Sequence, residues 1–192
     1  MIRLYDGPGT TGGGEFQVYK DGVGYLFNTF CLERSEFFSF GQPLTVAGIS
    51  DRAIYGGNPP PGLGYDLLDP RTAYLYTQFR AGTLSNYDYD NPTLRIADAN
   101  SLQLAIWFIE GEIYSLSDPQ ALLWVGEAEE ATRAGWTDIG NVRVLNLVDS
   151  QGNRRQDQLV MVPEPSTLLL MGAGLIGIGV FGRKRFRRKE KN

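Results

Sequence analysis

The sequence predicts an α+β fold: a β-rich core with a middle block of helices, followed by a single C-terminal transmembrane helix. Three observations lead there. Short runs rich in aromatic and branched residues lie toward both ends of the first 162 residues, at 15–33 and 142–162. Between them, three stretches carry helix start and stop signals. The chain then closes on seventeen uncharged residues, 166–182, and a basic cluster.

In chain order, 1–14 (MIRLYDGPGTTGGG) reads as a flexible lead. Its glycine spacing is that of a phosphate loop, but Gly13 stands where lysine is required. Residues 15–20 and 25–33 read as strands joined by a turn at 21–24. Residues 36–40 and 44–49 form a candidate second pair, and 56–64 (GGNPPPGLG) a long surface loop. Residues 71–80 predict a short helix with Asp69 or Thr72 near its start and Gly82 past its end. The polar run 87–91 reads as a loop without the pattern of a calcium-binding hand. A second helix is expected over 98–110, capped by Asp98 or Asn100 and apolar nearly all round. A third spans 118–134, with Pro119 in its first turn and Gly135 beyond its end. Residues 142–149 and 158–162 complete a hairpin over a turn at 150–153.

Charge divides the chain sharply. Residues 182–192 hold seven basic groups and one acidic group, leaving 11 basic and 21 acidic residues elsewhere. A domain this acidic has no basic face for phosphate, so nucleic acid is not an expected partner. No histidine is present, which removes His-based zinc sites and Ser-His-Asp triads. One cysteine excludes an internal disulfide and a thiolate-rich metal site. No metal and no cofactor are expected.

Residues 166–182, as a helix, cover roughly 25 Å, slightly less than a ~30 Å hydrocarbon core. Five glycines there are better tolerated in lipid than in water. Arg183, Lys184, Arg185, Arg187 and Arg188 form a stop-transfer cluster that keeps the end cytoplasmic and places the domain on the other side. Upstream stands Val162-Pro163-Glu164-Pro165. Motif, Gly-rich apolar segment and Arg-rich end, in this order, resemble a PEP-CTERM sorting signal. The resemblance implies export in a Gram-negative, polysaccharide-producing bacterium, a membrane-anchored precursor, processing near Pro163–Pro165 by an exosortase, and a final place on the cell surface or in the extracellular matrix. The resulting domains are 1–14 (lead), 15–162 (ectodomain) and 163–192 (sorting tail). An exported protein should begin with an apolar signal peptide. The first fourteen residues lack one, so a start further upstream is expected.

A single cysteine outside the cytoplasm is exposed to oxidation unless protected. Cys31 lies in Phe30-Cys31-Leu32-Glu33 on a predicted strand, and Gln103 in Leu102-Gln103-Leu104-Ala105-Ile106-Trp107 on a predicted buried helix. The two motifs, in this order, resemble the halves of the Cys-Gln thioester domains of bacterial surface adhesins. The resemblance implies an acyl link between Cys31 and Gln103. The chemistry is intelligible without it. A thiol held against a glutamine carboxamide can displace ammonia, and the resulting thioester persists while water is excluded. An amine would attack the Gln103 carbonyl carbon and release the thiol. Leu102, Ile106, Trp107 and Phe108 are the expected shield, and Glu110, Glu112 or Glu33 the candidate base.

The leading expectation is therefore a monomeric surface protein that captures an amine-bearing partner once, covalently, rather than an enzyme with turnover. The alternative is a matrix protein that binds exopolysaccharide without a covalent bond, through Tyr74, Tyr76, Tyr87 and Tyr89. A glycoside hydrolase using Glu110 with Glu112 or Asp138 is a third reading, which would need two carboxylates across a cleft.

Overall fold

The computed structural model describes residues 1–10, 12–54 and 64–163. The expected loop at 56–64 lies outside these residues except for Gly64, as do the tail from Glu164 onward, its apolar segment and the basic cluster. Among the described residues no helix is long and apolar enough to cross a membrane. Met1–Met161 forms one unit.

Among the described residues, eight strands and three helices make up this unit, in a mixed α+β arrangement. Strands β1 (Ile2–Asp6), β2 (Gly14–Lys20) and β3 (Gly24–Phe30) form an antiparallel meander. Strands β4 (Thr45–Ser50), β7 (Val142–Val148) and β8 (Arg154–Met161) form a second antiparallel sheet, in the order β4-β7-β8. The short pair β5 (Arg52–Ile54) and β6 (Tyr65–Leu67) stands apart. Two bridges join the three-stranded sheets at both edges. Ile2 exchanges backbone hydrogen bonds with Leu44, each 2.9 Å, and Cys31 pairs with Gln158. Six strands therefore close into a ring, which protects edges that would otherwise seek partners.

Alternation along the strands builds two cores from this ring. Ile2, Leu4, Phe16, Val18, Cys31, Leu145, Leu147 and Val160 gather in one cluster. Phe30, Leu32, Val144 and Leu159, each next in sequence to a member of that set, face the opposite way into a larger cluster with the helices.

The helices are α1 (Pro70–Ala81), α2 (Pro92–Ile109) and α3 (Pro119–Arg133). Each opens with a proline that needs no hydrogen-bond acceptor, preceded by Asp69, Asn91 or Asp118, whose side chain accepts from N–H groups of the first turn. Helix α1 stops at Gly82, whose left-handed backbone (φ 72°) turns its N–H back to the Gln78 and Phe79 carbonyls.

Four expectations are corrected. Residues 1–14 are not a loose lead: Ile2–Asp6 is β1, with Leu4 fully buried. Residues 36–40 form no strand, and β4 pairs instead with β7, nearly a hundred residues away. Helix α2 begins at Pro92 rather than near Asp98, so Asn91 is its cap. The strand expected over 25–33 ends at Phe30, and Cys31 follows as an isolated bridge.

Candidate functional site

Cys31 sits at the seam where β3 meets β8. Leu32, not Cys31, donates to β8, its N–H reaching the Asp157 carbonyl at 3.2 Å. In an antiparallel pair this turns the N–H and C=O of Cys31 to the other side. There the Cys31 N–H meets the Gly13 carbonyl (3.0 Å) and the Gln103 Oε1 (3.3 Å), while Gln103 Nε2 donates to the Cys31 carbonyl (3.0 Å). The sulfur lies 3.6 Å from the same Oε1. The structure thus brings together two residues 72 positions apart, both with no solvent exposure. It holds the carboxamide carbon, bonded to that oxygen, beside the thiol. Both halves of the amide are partnered, which meets the requirement of a polar group buried this deeply.

Gly13 completes the enclosure. A methyl group at its Cβ position would stand 2.7 Å from Gln103 Cδ and 2.5 Å from Trp107 Cζ2. Only a residue without a side chain lets the 12–14 segment lie this close over the carboxamide. The segment is tied down at Thr10, whose N–H donates to Asn100 Oδ1 (2.6 Å).

The expected shield is only partly the observed one. Trp107, one helical turn after Gln103, shares the cluster of Cys31 together with Phe16, Leu145 and Val160. Leu102, Ile106 and Phe108 pack in the other cluster, among the helices. Their positions on α2 are rotated away from the face that carries Gln103 and Trp107. Gly13, Phe16, Leu145 and Val160 had no local sequence signal, because three of them reach the site only through strand pairing.

Electrostatics separates the three candidate bases. Burial holds the Cys31 thiol well above its usual range; Glu33 adds to this, and Trp107 opposes it. Glu33, two residues on, is 1% exposed. Its Oε2 accepts from the Asp157 N–H (3.0 Å) and its Oε1 has no partner. Burial, then the neighbouring Asp157 and Glu36, raise its carboxyl well above the normal range. Its neutral form is favoured by this burial, which makes it a poor proton acceptor. Glu110 is turned to the start of α1, where it accepts from the Asp69 N–H (3.3 Å), and burial pushes it up to about 8. It too is mostly neutral at pH 7. Glu112 is only half-buried and accepts from the Arg34 N–H (2.9 Å), with a smaller upward shift caused chiefly by burial.

Leu32, Glu33, Asp66, Glu110 and Glu112 line a cavity of about 10 Å³. That holds one water at most and no sugar ring. Asp138 is exposed elsewhere and accepts from the Gly140 N–H. Among the described residues no acidic or sulfur group is arranged to hold a metal ion. Of the four tyrosines expected to stack on sugars, Tyr76 and Tyr87 are core residues. Tyr74 packs edge-on against Trp136, and Tyr89 stacks on Phe79.

Beyond this domain, Val162 and Pro163 begin the tail. The PEP-CTERM protein-sorting motif matches residues 162–188. The motif implies a protein that is exported, processed by an exosortase at the membrane and destined for the cell surface. No curated protein and no solved structure matches the chain.

Proposed function

We propose that the ectodomain captures an amine-bearing surface or matrix molecule through an internal thioester between Cys31 and Gln103. The observation that carries the reading is the enclosed contact itself: a thiol and a carboxamide, fully buried, with sulfur and Oε1 3.6 Å apart. In the forming step, Sγ bonds to Gln103 Cδ, the Cδ–Nε2 bond breaks, and the thiol proton leaves on nitrogen as ammonia. The Cys31 N–H, already on Oε1, is placed to stabilise the oxygen as charge develops. Because burial disfavours the thiolate and excludes solvent, the free thiol is a poor target for oxidants, and attack on its neighbour draws on proximity rather than on thiolate character. The sorting motif gives this chemistry its setting, since a covalent tether suits a protein delivered to the cell surface.

The test is thiol reactivity. Unfolded quickly without amine, the wild-type protein should resist alkylation at Cys31. Methylamine should free that thiol and add one methylamine at Gln103, and Cys31→Ala should take up none. Immediate alkylation of the untreated protein, with no methylamine adduct, would overturn the reading.

A further inference from the structure

The Trp107 ring lies beside Gly13 and the Gln103 carboxamide. The ring also lines a groove of about 440 Å³, together with Arg34, Leu104, Glu112, Ile113, Tyr114 and Ser115, and the Arg34 guanidinium lies over the indole, 6.0 Å from the ring centroid. Leu104 and Trp107 come from the same stretch of α2 as Gln103, which is itself not on the groove wall, so Trp107 is the residue common to the groove and the surroundings of the carboxamide. Tyr114, 90% exposed, stands at the mouth of the groove. The Trp107 indole nitrogen is buried without an oxygen or nitrogen partner, and its N–H faces the Cys31 sulfur.

We infer that this groove is the entry and recognition site for a primary alkylammonium group, such as a lysine side chain of a partner protein, with Trp107 as the gate and Glu112 as the proton acceptor. The inference rests on the thioester reading. Three features select this occupant. The groove walls are apolar along Leu104, Trp107 and Ile113, suited to a methylene chain. Glu112 gives the ammonium a carboxylate, which it shares with the Arg34 guanidinium on the same wall, in a domain carrying 21 acidic and 11 basic residues outside 182–192. And of the three acids near the site, Glu33 and Glu110 are turned away to the Asp157 and Asp69 N–H groups, which leaves Glu112, on the groove wall, for proton transfer.

The step balances as follows. The ammonium gives one proton to the Glu112 carboxylate. Its nitrogen bonds to Gln103 Cδ, the Cδ–Sγ bond breaks, and a second proton passes from nitrogen to sulfur. The products are an amide at Gln103, the Cys31 thiol and a protonated Glu112, which returns its proton to solvent.

The experiment compares the rates at which full-length wild type, Glu112→Gln and Ser115→Trp lose the thioester to three probes, read by intact mass at neutral pH. The probes are hydroxylamine, which is uncharged there, methylamine, and a short peptide with one free lysine. The Glu112→Gln side chain keeps an oxygen to accept from the Arg34 N–H, so the loop should hold its shape. Glu112→Gln should slow methylamine and the lysine peptide at least about tenfold and leave hydroxylamine within about twofold, as loss of a proton acceptor requires. Ser115→Trp, which narrows the groove, should slow the lysine peptide more than methylamine. Equal slowing of all three probes by Glu112→Gln, or rates unchanged in both variants, would overturn the groove assignment while the thioester stands. A wild-type protein that never loses ammonia would overturn the thioester and the groove together.

Discussion

Replacing Gly13 with alanine is the sharpest perturbation the structure offers. The new methyl carbon would sit 2.5 Å from Trp107 Cζ2 and 2.7 Å from both Gln103 Cγ and Cδ. Carbon atoms pack at about 3.5–4.0 Å, so something must move by about 1 Å. Gly13 itself is held, because its carbonyl accepts from the Cys31 N–H. Its φ is not in the left-handed region, so the cost is steric and not conformational. Overpacking of this kind costs about 1–3 kcal/mol. In a domain of this size that lowers the melting temperature by about 3–10 °C. The same 1 Å displaces the carboxamide from the thiol, and misplacement on that scale costs on the order of 100-fold in rate. Melting followed by circular dichroism reads the first effect. The fraction of molecules that has lost ammonia, by intact mass, reads the second. Gly126→Ala is the control: it lies inside α3 with nothing within 4 Å, and should be neutral or stabilise by about 0.5–1 kcal/mol. If Gly13→Ala melts with the wild type and loses ammonia to the same extent, the enclosure described here is wrong.

Two further outcomes follow from other parts of the domain. Glu15, with no exposure, is held by Arg95 (2.6 Å) and by the Tyr87 hydroxyl (2.8 Å). Arg95→Ala leaves that carboxylate buried without its counter-charge and should cost about 3 kcal/mol in urea unfolding, the low end of the range for a broken buried pair, because Tyr87 still donates. A loss under about 1 kcal/mol would show that Arg95 and Glu15 do not act as a buried ion pair. Glu110 is raised in the fold from 4.5 to about 8, so its contribution is complete below the unfolded value and is lost as pH rises toward 8. Stability should therefore fall across that window, by on the order of 2 kcal/mol after allowance for the partial exposure of the residue, and Glu110→Gln should flatten the profile. Equal pH profiles for both proteins would remove Glu110 as the cause.

Much of the helical layer was legible because its signals are local. Asp69 and Asp118 before proline, and Gly82 after α1, each mark an end by their own chemistry. The same signal stood at Asn91-Pro92, but the polar run before it masked the start of α2. The strands were harder where partner choice is long-range. Nothing near residue 45 indicates that β4 pairs with β7, or that Ile2 closes the ring against Leu44. At the site, the Cys31 and Gln103 motifs were readable, and Trp107 was readable as an apolar member of the Gln103 motif. Gly13 was not, since its role is defined by what it lies against. Glu33 was a candidate base by its place beside Cys31; Gln156 and Asp157 on β8 bury it, which favours its neutral form and makes it a poor base.

The central claim is a covalent bond between Cys31 and Gln103, and the most direct measurement is the intact mass of the folded protein before any treatment. The account predicts a wild-type mass lower than that of the encoded chain by one ammonia, and a Cys31→Ala mass equal to that of its own encoded chain. A wild-type mass equal to that of the encoded chain would contradict it.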